Sequence, residues 1–215
     1  MASAGAGLDR RRVHRVALVC AVSGLIAGPR RWLQPVREGI HVLLLPWPVR
    51  TVCGALTQAL GEEVPPDTPA RLLHHWCGHH GLPATPEMDR PALIDLLYTH
   101  LVEATTGAPV FYTGFPVELS PLARADRDDP RLAERWDLVA YGIELGTGCS
   151  ELTDPVEQRR RLAALGSLDE DFLAALERGM APTGGLGLGV DRLLMLLTGQ
   201  PLRGTLPFGG HRGSR

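Results

Sequence analysis

The sequence is poor in aromatic side chains and in any excess of charge. Only 5% of its 215 residues are Phe, Trp or Tyr, too few for a platform that stacks single-stranded nucleic acid. Lys plus Arg total 22 against 24 for Asp plus Glu, a net charge of −2. That balance gives no general electrostatic drive toward nucleic acid, although it leaves room for a local basic patch. Cysteine is sparse: Cys20, Cys53, Cys77 and Cys149 form no C-x-x-C pair, and their spacing is irregular. This argues against a disulfide framework and suits free thiols in a reducing cytoplasm. A basic cluster precedes an apolar run from Val16 to Gly28, in the outline of a signal peptide. The run is shorter than the ~20 residues a membrane helix needs. Arg30 and Arg31 follow it where a small-x-small cleavage site would stand, so a cytoplasmic protein without a membrane span is expected.

Other signatures are missing as well. No G-x-x-x-x-G-K-[ST] loop, no G-x-G-x-x-G fingerprint and no G-x-S-x-G elbow occurs, which removes the commonest phosphate loops and a hydrolase elbow. No internal repeat is visible. What is present is 44% hydrophobic and 21% charged residues, enough to fold one medium domain around a core. Residues 1–45 lack a clear amphipathic period and read as a leader, disordered or loosely specified. A domain is expected over 46–208, with a short tail at 209–215.

Helices come first. "TVCGALTQALG" ends at Gly61, "ARLLHHWCGHHG" opens at Thr68–Pro69, and "DRPALIDLLYTHLVEATTG" places Leu93, Leu96, Leu97, His100 and Leu101 on one side. Strands follow: "PVFYTGFP" (109–116), then a hairpin over 135–154 that turns near Tyr141–Gly142. In the hairpin Trp136, Leu138 and Ala140 share one face, and Asp137 and Val139 the other. Asp154 and Pro155 open a further helix, and "DEDFLAALERGM" is another. Helices followed by antiparallel strands indicate an α+β fold rather than a doubly wound sheet.

Three segments bear chemistry. Asp137, Glu144 and Glu151 recur at seven-residue intervals, and strand pairing across the turn brings Asp137 toward Glu144. Close carboxylates need a compensating cation or basic side chain, and a phosphate-bridging Mg²⁺ is a common one; a solvated acidic face is the alternative. In "TGGLGLGVDRLLMLL" (183–197) Gly185, Gly187 and Gly189 leave one strand face bare. A purine ring can lie on it while Arg192 reaches the phosphates, or the glycines simply allow close packing. "HHWCGHHG" holds five metal-ligand side chains, but adjacent histidines diverge by ~100° on a helix and no second cluster completes the set; it reads as a polar helix end.

In this order, these segments resemble one family. "GGLGLGVDRL" looks like motif 3 of the class II aminoacyl-tRNA synthetases. "FYTGFPVELSPLA", "AERWDLVAYGIELGTGCSELTDPVEQRRRL" and "TLPF" look like lysyl-tRNA synthetases, in particular an actinobacterial lysyl-tRNA synthetase-like branch. The resemblance covers about Pro46 to Phe208 and is most specific from Phe111 onward. It implies a partial class II core, an antiparallel sheet flanked by helices, that uses ATP and Mg²⁺. Glu144 then matches a glutamate that holds Mg²⁺ and ATP, and Asp137 stands in for its usual glutamate partner. Gly187 and Gly189 line the ATP site, and Arg192 matches the catalytic arginine on the γ-phosphate. Glu151 matches the glutamate that pairs with the ε-ammonium of lysine, and Thr147 replaces a pocket asparagine. Gly114 stands where an aspartate is usual. Motif 1 and motif 2 are not visible, nor is an anticodon-binding barrel, so the chain looks like the second half of a catalytic core. The resemblance implies lysine or a related amino acid as substrate, tRNA as acceptor, and a partner subunit or homodimer. The stated alternatives are a degenerate core that binds ATP without turnover, and a lysine ligase acting on a protein or small molecule.

Overall fold

The computed structural model describes residues 47–206. The expected leader, its signal-like run, Cys20 and the expected tail lie outside the described residues. Strand β1 (Val49–Thr51) is followed by helices α1 (Val52–Leu60), α2 (Ala70–His79) and α3 (Arg90–Leu97), the last continuing as a π-helical segment, Tyr98–Glu103. Then come β2 (Val110–Thr113), β3 (Arg135–Ala140) and β4 (Ile143–Ser150). Helices α4 (Pro155–Ala164) and α5 (Glu170–Glu177) precede β5 (Gly184–Leu188), α6 (Val190–Thr198) and the short α7 (Leu202–Thr205). The strands form one sheet in the order β1-β2-β3-β4-β5. The β1–β2 pair is parallel and the other pairs are antiparallel. The architecture is α+β, with a mixed sheet rather than a purely antiparallel one.

Local chemistry explains most element ends. Thr51 Oγ1 accepts from the N–H of Gly54 and starts α1, which Gly61 closes at φ 74°. Asp89, Asp154 and Asp169 cap α3, α4 and α5 in the same way, with Pro155 at the first turn of α4. The hairpin turns where expected: Tyr141 and Gly142 both have positive φ, 53° and 74°, which suits the tight turn of twisted strands.

Two expectations are corrected. The strand expected over 109–116 spans only Val110–Thr113, because Gly114 adopts φ 69° and turns the chain out of the sheet. The buried side of α3 is Leu93, Ile94, Leu97, Tyr98 and Val102, while His100 is exposed. The π-helical turns add residues per turn, so the 3.6-residue period slips after Leu97. These side chains join Val52, Leu56 and Leu73 of the helices and Val110, Tyr112 and Val139 of the sheet in one core. On the opposite sheet face, the Phe111 and Trp136 rings meet edge-to-face at 5.3 Å.

Candidate functional site

Strands β3, β4 and β5 carry the candidate residues. Thr147 lies opposite Asp137 on one side and Gly187 on the other, and Cys149 lies opposite Gly185. Cross-strand partners share a face, so the bare glycines of β5 face the same way as Asp137, Thr147 and Cys149. The segment 120–134 is stitched to this part of the sheet. Arg124 N–H donates to the Ser150 carbonyl at 2.7 Å, Leu152 N–H donates to the Leu122 carbonyl at 2.8 Å, and Ala123 bridges Glu151. The result is a cavity of ≈ 440 Å³ lined by Ser120–Ala123, Arg135, Thr147–Cys149, Glu151 and Gly185–Gly187. Among the described residues, Glu151 is the one carboxylate on that lining and Arg135 the one guanidinium.

Glycine at 185 makes room for Glu151. A Cβ there would stand 2.6 Å from Glu151 Oε1, so the carboxylate lies directly over the bare strand. Cys149 belongs to the same corner. Burial, and then the Glu151 charge beside it, push its thiol up to about 11. Gly187 opens onto free space, with nothing within 4 Å of an added Cβ. Gly189 is closed on that side by the stem of Arg192, whose Cδ would be 3.3 Å away.

The acids do not gather as expected. The two-residue turn at Tyr141 and Gly142 sets Glu144 opposite Val139, and the bulge beyond it sets Thr147 opposite Asp137. Asp137 is buried, at 3% exposure, and is engaged on both oxygens. Oδ1 accepts from Arg135 Nε at 3.1 Å and from Thr147 Oγ1 at 2.6 Å, while Oδ2 accepts from Arg135 Nη2 at 2.7 Å. Arg135 sits two residues along the same strand and so points to the same face. Glu144 is paired instead with Arg192 of α6. Arg192 Nη1 donates to the Glu144 carboxylate at 3.2 Å and to its carbonyl at 2.9 Å. Arg135 and Arg192 thus lie against these two carboxylates and offset their charge.

A hard divalent cation needs free carboxylate oxygens. Glu144 meets that need: it is a third exposed and has one oxygen in the Arg192 pair. Asp137 does not, because a guanidinium fork and a hydroxyl occupy it. Among the described residues, no group of three or more His, Cys, Asp or Glu is arranged to hold a metal.

Two contributors escaped the sequence reading. Arg135 was legible in principle, since its i, i+2 spacing from Asp137 on a strand puts both on one face. Glu103, at the end of the π-helical segment, carried no such signal. Its carboxyl is pushed up by burial and by the Glu144 and Asp137 charges, and accepts from the backbone of Glu144. Glu103 therefore joins the two acids from the helical side.

Comparison with known proteins adds an independent finding. A family described as tRNA synthetases class II (D, K and N) matches residues 15–211. The match begins inside the first 45 residues, for which the sequence had shown no counterpart. The chain is 55% identical over 195 residues to the lysylphosphatidylglycerol biosynthesis bifunctional protein LysX of Mycolicibacterium vanbaalenii, covering 84% of this chain and 18% of that protein. Proteins of the same name from Nocardia farcinica and Mycobacterium tuberculosis are 54% and 52% identical over 173 and 193 residues. Those alignments cover 75% and 84% of this chain, and 15% and 16% of the relatives. The chain thus spans less than a fifth of the length of these curated relatives.

Proposed function

The chain belongs to the class II tRNA synthetases of the D, K and N group, and from that premise we propose that it is a lysine-activating ligase domain of the lysyl branch. The observation that carries this is Glu151. It is the one carboxylate on the cavity lining, laid over Gly185 and walled by Thr147 and Cys149. A half-buried carboxylate on the lining of an open cavity favours a cationic side chain, because a neutral substitute leaves its charge unpaired. ATP lies along the bare face toward Gly187 and Gly189, with Arg192 at its phosphate end. The lysine carboxylate attacks the α-phosphorus; the bond to pyrophosphate breaks, giving lysyl-adenylate and pyrophosphate. The protein's part in this is orientation and charge placement. Mg²⁺, when bound, neutralises phosphate charge, and Glu144 is the residue that would hold it. A terminal hydroxyl of tRNA then attacks the lysyl carbonyl, forming the ester and releasing AMP. Lysine-dependent ATP–pyrophosphate exchange by the purified chain tests the first step; exchange no greater than without lysine removes the proposal.

Two further observations favour other outcomes. Arg135 and Arg192 are each paired with a carboxylate of their own chain, which suits a core that binds ATP without turnover. Calorimetric binding of Mg²⁺–ATP with no pyrophosphate release identifies that case. The relatives are named for lysylphosphatidylglycerol biosynthesis, which favours a small-molecule acceptor over tRNA. Mass spectrometry of tRNA and of phosphatidylglycerol after incubation with lysine and ATP separates the two.

A further inference from the structure

We infer that Asp137 and Arg135 form a positioning pair that sets one wall of the lysine cavity, and that Asp137 does this in place of binding a metal. The inference rests on the reading of that cavity as the lysine site. Arg135 is the pivot. Its Nε and Nη2 are fixed by Asp137, and its guanidinium carbon lies 4.3 Å from the centroid of the Phe115 ring. Held there, its remaining arm reaches off the sheet. Nη1 donates to the Leu119 carbonyl at 3.3 Å and to Ser120 Oγ at 3.2 Å. Ser120 begins the stretch that forms the cavity wall.

Backbone bonds at Leu122 and Arg124 and the Ala123–Glu151 bridge tie that wall to the sheet, and side chains add further anchors. Buried Gln158 donates to the Pro121 carbonyl at 3.1 Å, and buried Arg161 donates to the Ala123 carbonyl at 2.7 Å. These two come from α4, and Arg161 also reaches the Ser120 carbonyl at 3.4 Å, while Arg135 ties the near end of the wall to β3. Asp137 also accepts a hydrogen bond from the Thr147 hydroxyl at 2.6 Å, so it fixes the strand side of the cavity and the wall together. A metal at Asp137 would have to displace a bidentate guanidinium and stand beside its charge. A carboxylate so committed acts through its partners.

The test uses the full chain, the probes lysine and Mg²⁺–ATP, and hydrogen exchange of the amides of residues 119–123. Asp137→Asn is expected to speed exchange in 119–123 at least about tenfold. It weakens lysine binding by roughly tenfold to a hundredfold, the cost of a misplaced positioning group, and leaves the Mg²⁺ dependence of ATP binding where it was. Glu144→Gln, by contrast, shifts that dependence. Should Asp137→Asn fail to fold, the double variant Arg135→Met/Asp137→Asn removes the buried Asp137 charge and its half-buried partner together, which proteins tolerate better than losing one. Ser120→Ala cuts only the hydroxyl link and gives a smaller rise in exchange. An Mg²⁺ dependence shifted by Asp137→Asn as it is by Glu144→Gln overturns the inference, and so does unchanged exchange in 119–123. If the wild-type chain binds neither lysine nor ATP, the reading of the cavity fails, while the exchange measurement still decides whether the pair holds the wall.

Discussion

Arg192 reaches from α6 to Glu144 on β4 and donates from one nitrogen to both its carboxylate and its carbonyl, at 3.2 and 2.9 Å. The two side chains are 46% and 33% exposed. An ion pair so wet is worth about 0–1 kcal/mol to the fold, so its value lies in where it holds the guanidinium. Arg192→Ala is expected to leave the melting temperature within about 4 °C of wild type. Lysine-dependent ATP–pyrophosphate exchange falls roughly a hundredfold or more, the usual cost of removing a charge-stabilising donor. Equal exchange rates for variant and wild type would count against the phosphate role.

Glu151 gives a sharper test because it separates the two substrates. Glu151→Gln keeps size and polarity but removes the charge. Losing a charged hydrogen bond of about 1.5–3 kcal/mol raises the lysine dissociation constant roughly 10- to 100-fold, with ATP binding unchanged. Norleucine, which lacks the ε-ammonium, is the control: the variant narrows the preference for lysine over it. Titration calorimetry with each ligand measures both, and an unaltered preference would exclude Glu151 as the ammonium partner.

The glycines of β5 predict a dissociation of stability from binding. Gly187→Ala adds a methyl into open space, so the free protein tolerates it. If ATP lies on that bare face, the methyl occupies its place and ATP affinity drops. Gly185→Ala instead drives the Glu151 carboxylate from its seat, 2.6 Å from the new Cβ, and weakens lysine binding. Equal loss of both ligands in both variants would mean that the strand serves packing alone.

Gly148 faces the other way and makes a purely structural prediction. An added Cβ would lie 2.4 Å from the Trp136 ring and 3.0 Å from the Gly185 carbonyl. The ring is hemmed in by Phe111, so neither neighbour yields freely. Overpacking of this kind costs about 1–3 kcal/mol, and Gly148→Ala is expected to lower the urea midpoint accordingly. An unchanged midpoint would show that the Trp136 ring shifts without cost.

How far the sequence reveals this arrangement depends on the range of the interaction. Asp154 with Pro155, the Tyr141–Gly142 turn and the glycine strand are local signals, and each reappears in the structure. The Asp137–Glu144 pairing required a register, and the two-residue turn that sets Ala140 opposite Ile143 puts Glu144 opposite Val139 instead. Period-2 reading assigns a face to Asp137 but does not reveal that Arg135 fills the space in front of it. The wall at 119–123 was least legible, because partners 15 to 41 residues away fix it. Residues 119–123 carry no charged side chain, and nothing in their local pattern says what anchors them.

Cys149 reports on the Glu151 corner without any turnover. Its thiol is raised to about 11 from an ordinary 9.0, by burial first and by the Glu151 charge second. A raised folded value means that the neutral thiol stabilises the fold fully below pH 9.0, and that this contribution is lost as pH rises toward about 11. Alkylation needs the thiolate, so Cys149 labels slowly near neutral pH and faster as pH climbs. Glu151→Gln removes the second cause and speeds labelling at a given pH, while saturating lysine slows it by covering the thiol. Peptide mass spectrometry resolves Cys149 from Cys53 and Cys77. Identical labelling rates in Glu151→Gln and wild type would place the carboxylate away from the thiol, and the corner would not be the ammonium site.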